Sequence, residues 1–110
     1  MTDLLAFAKN KLGYEFADTQ NLILALSHKS IGAKNNERLE FFGDSILSYV
    51  IAEILLETFP KANEGQLTRM RAHLVCKDTL TIVAKELEID KHIILSNSET
   101  RTGGHQRSSI

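Results

Sequence analysis

The sequence predicts an all-α domain, and three observations carry that prediction. No segment sustains the two-residue apolar–polar alternation of a half-buried strand. Apolar residues instead recur at three- and four-residue spacing along successive stretches. Between those stretches stand Gly13, Gly32, Pro60, Gly65 and the pair Gly103–Gly104, residue types that turn or stop a helix. The 110 residues suffice for one small domain with a limited core.

The elements follow in order. From Asp3 to Leu12, Leu4, Leu5, Phe7, Ala8 and Leu12 mark a short helix with Thr2 or Asp3 as N-cap and Gly13 at its end. Tyr14-Glu15-Phe16 is an extended connector. Asp18 or Thr19 caps a second helix through Leu22, Ile23, Ala25 and Leu26 to about His28, which is placed to cap its C-terminus. Ser30 to Asn35 is a polar loop, and Asn35 or Asn36 caps a long helix that Pro60 stops near Thr58. Leu39, Phe42, Ile46, Val50 and Ile54 form one apolar stripe on it, so it reads as the core helix.

After a turn over 61–65, helical spacing resumes from Gln66 with Leu67, Met70, Leu74 and Val75, and again from Lys77 or Asp78 with Leu80, Val83, Ala84 and Leu87 inward. His92-Ile93-Ile94-Leu95 is a short apolar run, extended or latching a loop. Ser96 to Ser109 reads as a polar loop.

Composition narrows the function classes. No apolar run approaches the ~20 residues that span a membrane, and the longest, Ile46 to Leu56, contains Glu53. The N-terminus lacks signal-peptide features, so the cytoplasm is the expected location. One cysteine, Cys76, permits neither an intrachain disulfide nor a cysteine-based zinc cluster. Net charge is −1, with five basic against eight acidic residues in 1–60 and eight against six in 61–110. That imbalance permits a basic surface in the second half without requiring one.

The chemistry concentrates at the start of the long helix. Glu37, Glu40 and Asp44 fall within roughly 60° of one another on a helical projection, beside the apolar stripe. Like charges at i,i+3 and i,i+4 repel, and a divalent cation would remove that cost. Glu37 and Glu40 also sit where the helix dipole favours acids, so spacing alone favours a solvated acidic face over a metal site. Gly43 and Asp44 are poor helix formers that the dipole does not explain. A mid-helix glycine suits a place where another group comes close.

Other residues carry weaker signals. Glu64 can cap the next helix or approach the carboxylate face, because a helical hairpin brings the chain back alongside itself. Arg69, Arg71 and Lys77 can face phosphates, although amphipathic helices carry such residues routinely. Phe41 lies off the main stripe, partly buried or marking a second packing surface against a partner chain. His28 with Ser30 has no third orienting group for nucleophilic catalysis. His73, His92 and His105 lack metal-ligand spacing and read as surface or loop residues. Gly103–Gly104 lacks the strand and helix that flank a phosphate loop.

The motif Asn36-Glu-Arg-Leu-Glu-Phe-Phe-Gly-Asp-Ser-Ile-Leu47 resembles the signature of the ribonuclease III family of double-stranded-RNA endonucleases. Ala25-Leu-Ser-His-Lys-Ser30, Phe59-Pro60, Glu64-Gly65, Leu67-Thr-Arg-Met-Arg-Ala72 with Leu74-Val75, and Gly103-Gly104 through Arg107-Ser-Ser-Ile110 resemble further blocks in the family's order. The resemblance implies a compact multi-helix endonuclease domain over 1–110, built on the long central helix. It implies that Glu40 and Asp44 bind Mg²⁺, with Mn²⁺ as a substitute, and that Glu37 and Glu64 are auxiliary catalytic acids. Arg69, Arg71 and Arg107 become candidate RNA contacts, and Phe41 a contact across a homodimer. Products would carry 5′-phosphate and 3′-hydroxyl ends, and the substrates include ribosomal and messenger RNA precursors.

The sequence also departs from that pattern. The family's double-stranded-RNA-binding domain is not in this chain, nor is the helix expected after Ile110 that supplies a further aspartate and glutamate. The resemblance therefore implies a C-terminally incomplete endonuclease domain that cleaves weakly or not at all on its own. The alternative is a catalytically silent relative that binds RNA or a protein partner. A purely structural helical dimerisation domain leaves the acidic face unexplained.

Overall fold

The computed structural model describes residues 2–110, with side chains from Leu4 onward. The cap expected at Thr2 or Asp3 lies outside the described side chains. Helix α1 (Thr2–Phe7) widens into a π-helical turn, Ala8–Leu12, and ends at Gly13, whose positive φ of 67° lets its N–H reach back to the Ala8 carbonyl. Helix α2 (Thr19–Leu26) starts at Asp18, whose carboxylate accepts from the Gln20 N–H. It stops at Leu26, short of His28.

Helix α3 (Glu37–Thr58) spans 22 residues, about 33 Å. Helix α4 (Glu64–Leu74) folds back against it, and α5 (Lys77–Glu86) packs on α4. The cap of α4 is Asn63 rather than Glu64. Asn63 Oδ1 accepts from the Gln66 N–H while Gln66 Oε1 accepts from the Asn63 N–H, a reciprocal capping box that makes Glu64 the first helical residue. Every expected helix is present, and no strand occurs among the described residues; the one bridge is a parallel pairing of Ser27 with Ile94. No helix among them is long and apolar enough to cross a membrane.

The polar tail is not the expected loop. It folds into α6 (Asn97–Arg101), capped by Ser96, followed by a 3₁₀ turn at Gly104–Gln106. Gly104 is buried against the Glu99 carbonyl and the Leu95 side chain, too close for a β-carbon. His105 Nε2 lies 2.9 Å from the Ile93 carbonyl, and the Arg107 guanidinium pairs with Glu99 and donates to the Thr102 carbonyl. His92, expected on the surface, stacks on Phe7 at 4.1 Å.

The core sits elsewhere than the sequence suggests. Ala8, Leu22 and Leu26 are buried together, with Leu4, Phe16, Ile89 and Ile94 packed around them. The α3 stripe is uncovered: Ile46 is 48% and Phe42 64% exposed, and Leu55 is the buried apolar residue of this helix. The radius of gyration is 15.9 Å, against about 13 Å for a compact chain of this length, so the molecule is elongated. Periodicity correctly marked an apolar face, but the elements of this chain do not cover it.

Candidate active site

The start of α3 is held by its neighbours. The Asn36 N–H donates to the Ser27 carbonyl, and Asn36 Nδ2 donates to the Ala25 carbonyl. The cap bond to the first helical N–H comes from Asn35, whose Oδ1 accepts from the Glu37 N–H. The two asparagines thus divide the work, one capping and one anchoring. The anchored helix presents Glu37, Glu40 and Asp44 together on one groove of about 630 Å³, closed on one side by Leu80 of α5.

All three carboxylates are exposed, and no ion pair or side-chain hydrogen bond engages them among the described residues. At i,i+3 and i,i+4 their Cβ atoms stand about 5–6 Å apart, so their charges add to a local negative field. Apart from its own helix backbone and chain neighbours, nothing among the described residues comes within 4 Å of a β-carbon built on Gly43. The close approach that this glycine suggested is not made within one chain.

A second groove of about 640 Å³ runs on from the first, with Glu37 and Glu40 on its wall. Lys77 and Lys85 of α5, Lys29 of the loop before α3, and Arg107 also line it. Cations thus stand around the acids. Lys77 was a sequence candidate, whereas Lys29 and Lys85 were missed. A signal for Lys85 existed: Lys77, Leu80, Thr81, Ala84 and Lys85 follow the i, i+3, i+4, i+7, i+8 pattern of one helix face.

The other candidates separate. Glu64 lines a different cleft of about 360 Å³ between α3 and α4, with Leu55, Leu56, Leu67 and Arg71. Arg69 faces a shallow hollow beside Phe59 and Met70. Arg107 reaches the groove edge, but its guanidinium is engaged by Glu99. Phe41 edges the acidic groove and is 78% exposed. His28 does not cap α2; its ring Nδ1 accepts from the Ser30 N–H at 3.1 Å and opens a 3₁₀ turn, Lys29–Ile31.

Among the described residues there is no group of three or more His, Cys, Asp or Glu side chains that could hold a metal. Glu40 and Asp44 nevertheless fit a magnesium ion by donor chemistry, because Mg²⁺ takes oxygen ligands, keeps several waters and is commonly held through one or two carboxylates.

Comparison with known proteins agrees with this fold. A family model described as Ribonuclease-III-like matches residues 18–110. The chain is 53% identical over 110 residues to Ribonuclease 3 of a Marinomonas species, covering all of this chain and 48% of that protein. It is 52% identical over 102 residues to Ribonuclease 3 of Glaesserella parasuis, covering 93% of this chain and 46% of that protein. The chain spans about half the length of the curated relatives it matches. The fold superposes on the nuclease domain of ribonuclease III from Campylobacter jejuni with a TM-score of 0.91 at 40% identity, covering 96% of this chain and 74% of that one. That structure is described as showing flexibility in a region involved in dimer formation.

Proposed function

Because the chain belongs to the ribonuclease III family, we propose that it carries the acidic face of a double-strand-specific endoribonuclease. The observation that bears most on this reading is the common groove of Glu37, Glu40 and Asp44, with lysines along its continuation. Glu40 and Asp44 would hold Mg²⁺, and Mn²⁺ can take its place. When bound, the ion supplies the Lewis acidity that phosphodiester hydrolysis requires.

The side chains have separable tasks. A bare carboxylate wall repels an RNA backbone, so binding needs the cations that flank it. Lys29, Lys77 and Lys85 supply positive charge along the continuation of the groove. Glu37, at the first turn of α3, deepens the negative field at Glu40 and orients groups within the groove. Arg69, Arg71 and Arg107 remain candidate RNA contacts on neighbouring surfaces. Glu64, in its own cleft, belongs to the proposed site only as an auxiliary acid.

The products would carry 5′-phosphate and 3′-hydroxyl ends, and the substrates would be ribosomal and messenger RNA precursors in the cytoplasm. The chain spans about half the length of the Ribonuclease 3 relatives that it matches. We propose that full activity belongs to a protein of those relatives' length, and that these 110 residues alone cleave weakly or not at all. The uncovered α3 stripe supports a homodimer, with Phe41 as a contact across it. Sedimentation of Phe41→Ala should show weaker self-association, and an unchanged monomer–dimer balance would remove Phe41 from the interface.

The catalytic test is cleavage of a long RNA duplex by the longer protein with Mg²⁺, with chelator, and with Asp44→Asn. The variant should lose on the order of a hundredfold or more in rate. Its thermal midpoint should not fall, because the Asp44 side chain is exposed and removing it relieves repulsion. Unchanged cleavage would reject the assignment. The second reading is a catalytically silent RNA- or protein-binding module. Duplex binding without metal-dependent cleavage would select it.

A further inference from the structure

The segment from Ala25 to Ser30 touches both walls of the lysine-lined groove. On one side it anchors α3, through Asn36 to the Ala25 and Ser27 carbonyls. On the other it pairs with the C-terminal segment. The His28 N–H donates to the Ile94 carbonyl, the Ile94 N–H donates to the Leu26 carbonyl, and Ser27 bridges Ile94 in parallel. The Ser96 N–H donates to Ser30 Oγ at 2.9 Å across a separation of 66 residues. Ser96 in turn caps α6, which carries Glu99 and through it holds Arg107 at the groove edge.

One side-chain bond closes the turn at the end of this segment. Ser30 meets Ser96 from within the turn Lys29–Ile31, where the ring of His28 satisfies the Ser30 N–H. That ring nitrogen accepts a bond from the residue two positions on, as an asparagine side chain does at a helix N-cap. An imidazole can accept at Nδ1 only when its proton sits on Nε2. The bond therefore selects one tautomer as well as one rotamer.

We propose that His28 is a positioning residue for the carboxylate groove. Its Nδ1 closes the turn through which Ser30 sets the C-terminal segment opposite Glu37 and Glu40. The catalytic consequence rests on the nuclease reading above; the clasp itself does not. Misplacing groups across a reaction groove by an ångström can lower rates by orders of magnitude.

Two substitutions separate the acceptor from the bulk of the ring. His28→Phe keeps an aromatic ring and removes the acceptor, whereas His28→Asn keeps an acceptor and removes the ring. Metal-dependent cleavage of an RNA duplex by the longer protein should fall about tenfold in His28→Phe and return to within about threefold of wild type in His28→Asn. A role in packing alone predicts the reverse order, and that order would overturn the proposal.

Amide hydrogen exchange on the 110-residue chain gives a readout independent of activity. Exchange at Ser30 and Ser96 should quicken in His28→Phe and recover in His28→Asn, while amides in the middle of α2 stay protected and show that the fold persists. Equal Ser96 exchange in all three proteins would overturn the clasp whatever the cleavage rates. If the exchange pattern holds but the wild-type enzyme cleaves no RNA, the clasp stands and the nuclease reading fails.

Discussion

The N-terminal helices and the central helix both carry apolar faces, yet one is buried and the other is not. Leu22 is 2% exposed beneath α1 and the Ile94 segment, while Ile46, at a comparable place on the α3 face, is 48% exposed. The difference lies in what lies opposite. The α2 face meets Ala8, whose small side chain allows close approach, and is closed from the far end of the chain by Ile89 and Ile94. The α3 face is packed chiefly by α4, where Leu55 is buried at 4%. An apolar stripe specifies a face that must be covered; it does not specify that the same chain covers it.

The sharpest way to break this comparison is to truncate one residue on each face. Leu22→Ala removes a fully packed side chain and should destabilise the chain by about 3 kcal/mol in denaturant titration. Ile46→Ala, losing side-chain area that is already half in water, should cost under about 1 kcal/mol for the isolated chain. Equal losses would mean that the α3 stripe is covered in solution, and a loss for Ile46→Ala that grows with protein concentration would identify the cover as a second copy.

How much of this was legible follows from the range of each interaction. Helix positions were readable because caps and periodicity are local: Asp18, Gly13 and Pro60 act within a few residues of themselves. Glu37, Glu40 and Asp44 were readable as a set because one helix carries all three. Glu64 was not, since which way it points depends on how α4 packs and on Asn63, rather than Glu64, taking the cap. The uses of Ser30 and His105 were illegible for a plainer reason. Their partners include Ser96 and Ile93, and no local pattern announces a bond between residues 66 positions apart. The tail over 96–109 looked like a loop because its short helix is stabilised by one cap, one ion pair and a glycine packed against backbone rather than by an apolar stripe.

Two glycines carry the comparison to a smaller scale. A β-carbon on Gly104 would lie 2.8 Å from the Glu99 carbonyl oxygen and 2.9 Å from Leu95 Cδ1. The carbonyl belongs to the backbone of α6 and cannot swing away, so Gly104→Ala should destabilise by about 1–3 kcal/mol. A β-carbon on Gly43 meets nothing within 4 Å, and the residue is inside a helix. Gly43→Ala should therefore stabilise the isolated chain by about 0.5–1 kcal/mol. A variant that is more stable but cleaves poorly would show that RNA or a second chain approaches where this chain leaves space.

The smallest effect is expected where the two ends of the packed region meet in water. Glu88 holds a left-handed backbone, φ 61°, between α5 and the 3₁₀ turn Ile89–His92. Its carboxylate bonds the Lys91 ammonium at 3.2 Å and lies 3.6 Å from that of Lys11, so the hydrogen bond from Lys91, then the charges of Lys11 and Lys91, hold its pKa below the ordinary glutamate value of 4.5. A depressed carboxyl pKa adds stability above the unfolded-state value, and that contribution disappears as the pH falls through the folded-state value. Glu88→Gln should therefore lower the thermal midpoint slightly at neutral pH, and the difference from wild type should close on acidification below 4.5. Because these groups are largely in water, added salt should shrink the difference as well. A deficit that persisted in acid and in high salt would point to the backbone of residue 88, rather than its charge, as what joins Lys11 and Lys91 to the packed cluster.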